Sequence, residues 1–221
     1  MGVIALSALL LAGTGFFIFS RAFPNYRPGQ KKLQADLKKL MQELDTITID
    51  MVPIDVKELE ALSTSQVQYN ARTRVTKNVK GAFVSIFEEG IFKYAYRQYA
   101  SGKKDNVLLA MTHNHQFAFL TKSNKTQVVV DEQVVGQLDQ QAGILYGAKS
   151  KQPIAQIDKT KAEQWSIKIN EREVASMNVI KEVREKGLSE RVFDYVVNGI
   201  SAEEQAIIMV LIINELVQLA V

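Results

Sequence analysis

The chain has 221 residues, with 27 Lys+Arg against 24 Asp+Glu and a formal net charge of +3. It contains no cysteine, which excludes disulfides, Cys-ligated zinc, iron–sulfur clusters and thiol catalysis. Much of the basic excess falls between Arg21 and Lys39, so the rest is near neutral, which argues against a nucleic-acid binder relying on a broad basic surface.

Gly2 to Ser20 carries no charge and ends at Arg21. As a helix this run reaches roughly 28 Å, close to the ~30 Å hydrocarbon core of a bilayer. It is therefore expected to be a single-pass anchor over 1–21, with Gly2, Phe16, Phe17 and Phe19 in the lipid and Arg21 at its boundary. A cleaved secretory signal would need a basic leader and a small-x-small site, and Ser20-Arg-Ala-Phe23 supplies no such site. Thr14 stands where a lipoprotein cysteine would be, and Leu6 where myristoylation wants Ser or Thr. Positive residues follow the run and none precedes it, so the positive-inside rule places the N-terminus outside and the remaining domain in the cytoplasm, at the cell membrane.

Residues 22–80 read as a juxtamembrane region. Two prolines, a glycine and the interfacial aromatics Phe23 and Tyr26 make a hinge over 21–29. A helix is expected over 30–44, because Leu33, Leu37, Leu40, Met41 and Leu44 recur at helical spacing. Lys31, Lys32, Lys38 and Lys39 crowd its remaining surface. Such a helix either packs on the domain or a sister chain as a stalk, or lies on anionic lipid. Thr46-Ile-Thr-Ile49 resembles a short strand and Val56 to Leu62 one or two helical turns.

From 81 to 221 the texture becomes β. Runs rich in β-branched and aromatic residues at 82–87, 91–99, 107–111, 116–120, 127–130, 134–138, 144–147, 153–157, 164–169, 173–177 and 192–197 alternate with polar turns. This spacing predicts a meander that closes into a barrel or sandwich, with glycine-bearing turns supplying positive φ. Then Ser201-Ala-Glu-Glu204 forms a capping box, and Ala206 to Ile213 is apolar all round. A helix without a polar face must be surrounded, and this one is too short and its continuation too polar (Asn214, Glu215, Gln218) for a membrane span. The expected fold class is mainly β with helices (α+β): an antiparallel barrel enclosing its C-terminal helix.

A strand meander around an apolar C-terminal helix resembles the tubby-like superfamily, which includes the tubby C-terminal domain, the phospholipid scramblases and the LURP-one-related proteins. The resemblance is architectural and covers about 82–220. It is carried most by 128–177, with Gly136-Gln-Leu138, Pro153-Ile-Ala-Gln-Ile157 and Trp165-Ser-Ile-Lys-Ile169, and by the acid-headed helix at 201–216. It implies a barrel that works near lipid. The chain departs from scramblases in its N-terminal anchor and in lacking a Cys-rich stretch and an acidic calcium loop, so calcium-triggered scrambling is not implied.

No catalytic constellation stands out. His113 and His115 are the only histidines, and a solvated hairpin turn suits them better than a metal site, since no third ligand is near in sequence. There is no Gly-x-Ser-x-Gly and no phosphate-binding loop. The expectation is a non-enzyme with no cofactor, no metal, no nucleic acid and no inferred small-molecule substrate. Its partners are membrane lipid and, in the alternative reading, other subunits of a membrane complex that it serves as an accessory or assembly subunit. Candidate contacts for anionic lipid are Lys31, Lys32, Lys38 and Lys39 of the stalk, with the turn residues Lys103, Lys104, Lys149 and Lys151. Arg97 brackets one turn with Lys103 and Lys104, and Lys122 and Lys125 bracket another. Trp165 reads as core and Glu203 and Glu204 as helix-start charges.

Overall fold

The computed structural model describes residues 29–73, 76–100, 105–161, 164–181, 183 and 190–221. The expected anchor (Gly2, Phe16, Phe17, Phe19, Arg21), the hinge and Lys103 and Lys104 lie outside them. Among the described residues no helix is long and apolar enough to cross a membrane.

Twelve strands form one antiparallel sheet in strict chain order: β1 Leu62–Thr73, β2 Lys77–Ser85, β3 Gly90–Gln98, β4 Asn106–Met111, β5 Gln116–Lys122, β6 Lys125–Val130, β7 Gln133–Asp139, β8 Ile144–Gly147, β9 Pro153–Asp158, β10 Gln164–Ile169, β11 Arg172–Asn178 and β12 Phe193–Val196. Among the described residues three helices accompany them: α1 Gln30–Asp45, α2 Val56–Ala61 and α3 Ala202–Ala220. The sheet curls until its ends nearly meet. A bridge joins Ser63 to Arg191, the Thr64 N–H reaches the Glu190 carbonyl and the Val192 N–H the Leu62 carbonyl. At this seam α2 packs beside β12, and the Glu60 carboxylate accepts the Val196 N–H at 3.0 Å.

Consecutive antiparallel strands put their turns alternately at two ends. The upper end carries the connections after β3, β5, β7 and β9, and the lower end those after β2, β4, β6, β8 and β10. Tight lower turns need positive φ, and here the expectation of glycine fails. Asp131-Glu132 and Asn170-Glu171 adopt it, as does Ser123-Asn124 at the upper end. Asn and Asp tolerate the left-handed region because their short side chains bond locally, so an Asx residue replaces glycine at one position of each pair. Gly143, at +67°, is a turn glycine of the expected kind. Gly136 serves another purpose: a Cβ there would lie 1.9 Å from the Tyr146 carbonyl oxygen, where β7 is bulged against β6.

The interior is one cluster to which every strand contributes, Phe83, Phe92, Phe117, Phe119, Ile167 and Phe193 among the residues, with α3 in its middle. Ile208 to Asn214 are all buried. Seven successive positions turned by 100° each cover the whole circumference of a helix, so the sheet surrounds this stretch. Ser201 accepts from the Glu204 N–H while Glu204 accepts from the Ser201 N–H, the expected capping box. The Glu204 carboxylate also takes Arg172 from the start of β11. At the other end of α3, Gln140 donates to buried Asn214 at 2.9 Å and Lys159 pairs with Glu215 at 2.7 Å. The polar residues that interrupt the apolar run therefore sit at the upper mouth.

The 46–49 segment is not a strand. Ile47 tucks beneath α1, and the chain continues extended until Met51 bridges Gly90.

Candidate functional site

The outer wall carries the features with functional promise, and they begin with α1. Leu40 and Leu44 are fully buried, and with Leu33, Leu37 and Met41 they pack on Ala95, Tyr99, Val107 and Leu109 of the β3–β4 wall. Fully burying each leucine contributes about 2 kcal/mol. One acid fixes the orientation. Asp36, fully buried, accepts from Arg97 Nη1 at 2.6 Å and Tyr99 Oη at 2.7 Å, and Lys32 Nζ lies 3.2 Å away. Arg97 also reaches Asn78 at 2.7 Å and Glu43 at 3.4 Å. Burial, reinforced by the bond to Asp36, pushes the Tyr99 hydroxyl pKa far up, so it stays a donor. Arg97 bonds near the N-terminal half of α1, whereas Lys93, earlier on β3, reaches the Leu44 carbonyl at 3.1 Å. The N-terminus of α1 thus points to the upper end.

The four stalk lysines part company. Lys32 turns toward Asp36, while Lys31, Lys38 and Lys39 are exposed and have no polar partner among the described residues. Lys31 and Lys38 share the helix face opposite Leu40 and Leu44. Lys122 and Lys125, exposed on the β5–β6 hairpin, lie at the same upper end. Lys149 and Lys151 do not: they occupy the lower β8–β9 turn. Arg97 is no turn residue but part of the Asp36 lock.

Lys125 and Lys151 nonetheless approach one groove of about 500 Å³ on the outside of β5 to β8. In register across these strands run Leu120, Gln127, Gln137 and Tyr146, all facing outward. Leu120 also packs toward α1, so the groove borders the helix's seat.

The histidines sit on the lower β4–β5 turn, His113 exposed and His115 partly exposed. His113 Nδ1 lies 3.2 Å from the Met51 carbonyl. His115 Nδ1 lies 2.6 Å from Asp131 Oδ2, and Asp131 Oδ1 accepts the Gln116 N–H at 2.9 Å. Burial opposes ionisation of Asp131, but the Gln116 N–H and the His115 ring outweigh it and hold the carboxyl below its ordinary range. Among the described residues no three His, Cys, Asp or Glu side chains gather as metal ligands. Trp165 is half-buried against the core, with Lys159 Nζ 4.8 Å above its ring.

The class is thus a mainly β protein, a nearly closed twelve-stranded antiparallel barrel around a C-terminal helix. No protein-family model, curated protein or solved structure matches the chain.

Proposed function

We propose that this chain is a membrane-tethered, non-enzymatic barrel of the tubby-like kind that binds or scaffolds at an anionic lipid surface. The observation that carries the reading is the placement of α1. It follows the uncharged run across the 21–29 segment, is locked to the barrel through Asp36, and keeps Lys31, Lys38 and Lys39 outward. Its N-terminus shares the upper end with Lys122 and Lys125, so a chain leaving a bilayer would bring these cations to the headgroups together. Lysines near such a surface contribute about 1 kcal/mol each, within a Debye length of about 8–10 Å.

The test is flotation of residues 29–221 with phosphatidylserine or neutral vesicles; the described residues close their own core, which supports using them alone. Binding to the anionic vesicles should fall on the order of 100-fold when Lys31, Lys38 and Lys39 become Gln, and should fall with salt. Equal, salt-insensitive binding to both lipids would refute the reading. The accessory-subunit reading has one observation in its favour: Phe87 is 68% exposed on the lower β2–β3 turn, where Ser85 Oγ holds the backbone by accepting the Phe87 and Glu89 N–H groups. Phe87→Ala should then release the partner without loosening the barrel, measured by co-purification and thermal melting.

A further inference from the structure

The lower mouth of the barrel, where α3 enters, holds a separate cavity of about 370 Å³. One wall is a stripe of α3. Glu203, Ala206, Ile207 and Val210 recur at helical spacing and face the cavity together. The opposite wall is Val130 and Val135 of β6 and β7. Here the sheath around the helix is incomplete: Ile208 to Asn214 are buried, whereas Ile207 is half-buried beside the opening. Floor and walls are apolar, and the volume is that of a small-molecule site.

The rim has a definite polarity. His115 and Asp131 stand on one side of it and Glu203 on the other, with Gln133 at the start of β7. His115 Nδ1 lies 2.6 Å from Asp131 Oδ2, which fixes the ring beside that carboxylate. Glu203 has no hydrogen-bond or ion-pair partner among the described residues, unlike Glu204, which is spent on the capping box and Arg172. At the helix N-terminus the capping box satisfies the Ser201 and Glu204 N–H groups. Two carboxylates, Asp131 and Glu203, above a hydrocarbon floor call for a ligand with positive charge and an apolar body.

We propose that this cavity binds a small organic ammonium ligand, its –NH₃⁺ between Glu203 and the His115–Asp131 pair and its hydrocarbon body against Ile207, Val210 and Val130. An ammonium supplies three donors to a rim dominated by acceptors, and a carboxylate or phosphate ligand would meet like charge at both Asp131 and Glu203. The site lies at the end of the barrel opposite Lys122 and Lys125, so it is independent of the lipid-facing reading.

The probe is phenethylammonium, added to the full chain in nanodiscs of zwitterionic lipid with Ile and Val methyls labelled for NMR. The phenyl ring should shift the Ile207 and Val210 methyl signals saturably. The neutral 2-phenylethanol should bind at least about tenfold more weakly, and anionic 3-phenylpropanoate should leave these methyls unmoved. Glu203→Gln, at an exposed and unpartnered position, should weaken the ammonium about tenfold without altering the rest of the spectrum. Glu203→Lys should abolish its binding. Absence of saturable shifts at Ile207 and Val210, equal binding of ammonium and alcohol, or an unchanged affinity in Glu203→Gln would each overturn the proposal.

Discussion

Replacing Asp36 tests how α1 is held. In Asp36→Ala, Arg97 loses its 2.6 Å partner and Tyr99 its 2.7 Å acceptor, and neither group reaches bulk water: the Arg97 side chain is 13% exposed and Tyr99 2%. Removing one member of a buried ion pair costs about 3–5 kcal/mol, because the remaining charge is stranded. Arg97 keeps Asn78 at 2.7 Å and the more distant Glu43, which places the expected loss near the lower bound, about 3 kcal/mol. With a urea m-value of about 1–3 kcal/mol/M, the midpoint of residues 29–221 should fall by about 1–3 M. Hydrogen exchange locates the effect: the Leu40 and Leu44 amides should lose protection before those of the Phe92 and Phe117 strands. The triple replacement Asp36→Leu, Arg97→Met, Tyr99→Phe removes the whole network and should recover most of the lost stability. A shift equivalent to less than about 1 kcal/mol in Asp36→Ala would refute the view that this acid fixes the helix.

Four further outcomes follow from local geometry. Glu171→Gly turns Asn170-Glu171 into Asn-Gly at a pair with both φ positive and should stabilise by about 1 kcal/mol, a rise of about 2–4 °C in thermal melting. Gly136→Ala drives a methyl against the Tyr146 carbonyl and should cost about 3 kcal/mol or more, read as a lowered urea midpoint. Ser201→Ala removes the cap of α3 and should cost about 1 kcal/mol by the same measure. The Lys168 ammonium at 2.9 Å, with Thr160, holds the Asp158 pKa down at about 2. A depressed carboxyl favours the folded state above its unfolded pKa of about 3.9, and that contribution fades as pH falls toward 2. Carboxyl NMR titration should find this midpoint near 2, and Lys168→Met should return it toward the ordinary value.

The strands from Phe92 to Met177 were legible because each alternates between a core side and a wall side, as in the Phe117, Phe119 and Val128, Val130 pairs. β1 was not legible. Its buried positions Ser63, Thr64, Ser65 and Gln66 are polar, and they are tolerated because Ser63 donates to the Val84 carbonyl and Gln66 accepts from Tyr94. Without an apolar rhythm the segment gives no period-two signal. The α1 leucines marked a buried stripe, but Asp36 within the same helix offered no hint of being its anchor, since its partners Arg97 and Tyr99 lie about sixty residues away. The His115–Asp131 pair escaped for the same reason: adjacent turns bring it together only once the sheet is in register.

The two ends of the barrel differ because the turns do. Lower connections carry Glu88, Glu89, Asp131, Glu132 and Glu171, to which α3 adds Glu203, against Lys149 and Lys151 in the β8–β9 turn, while the upper β5–β6 hairpin and the start of α1 present lysines. The direction of α3 reinforces this division: its capped N-terminus, favourable for carboxylates, lies at the lower mouth and its C-terminus, favourable for Lys77 on the Val221 carbonyl, at the upper. In the proposed orientation the cationic end meets lipid, and the acceptor-lined cavity opens away from the bilayer toward soluble cations. Reversing the charge of the lower rim with Glu203→Lys should therefore leave vesicle flotation unchanged while it abolishes ammonium binding. Loss of both together would mean that the two ends do not act separately.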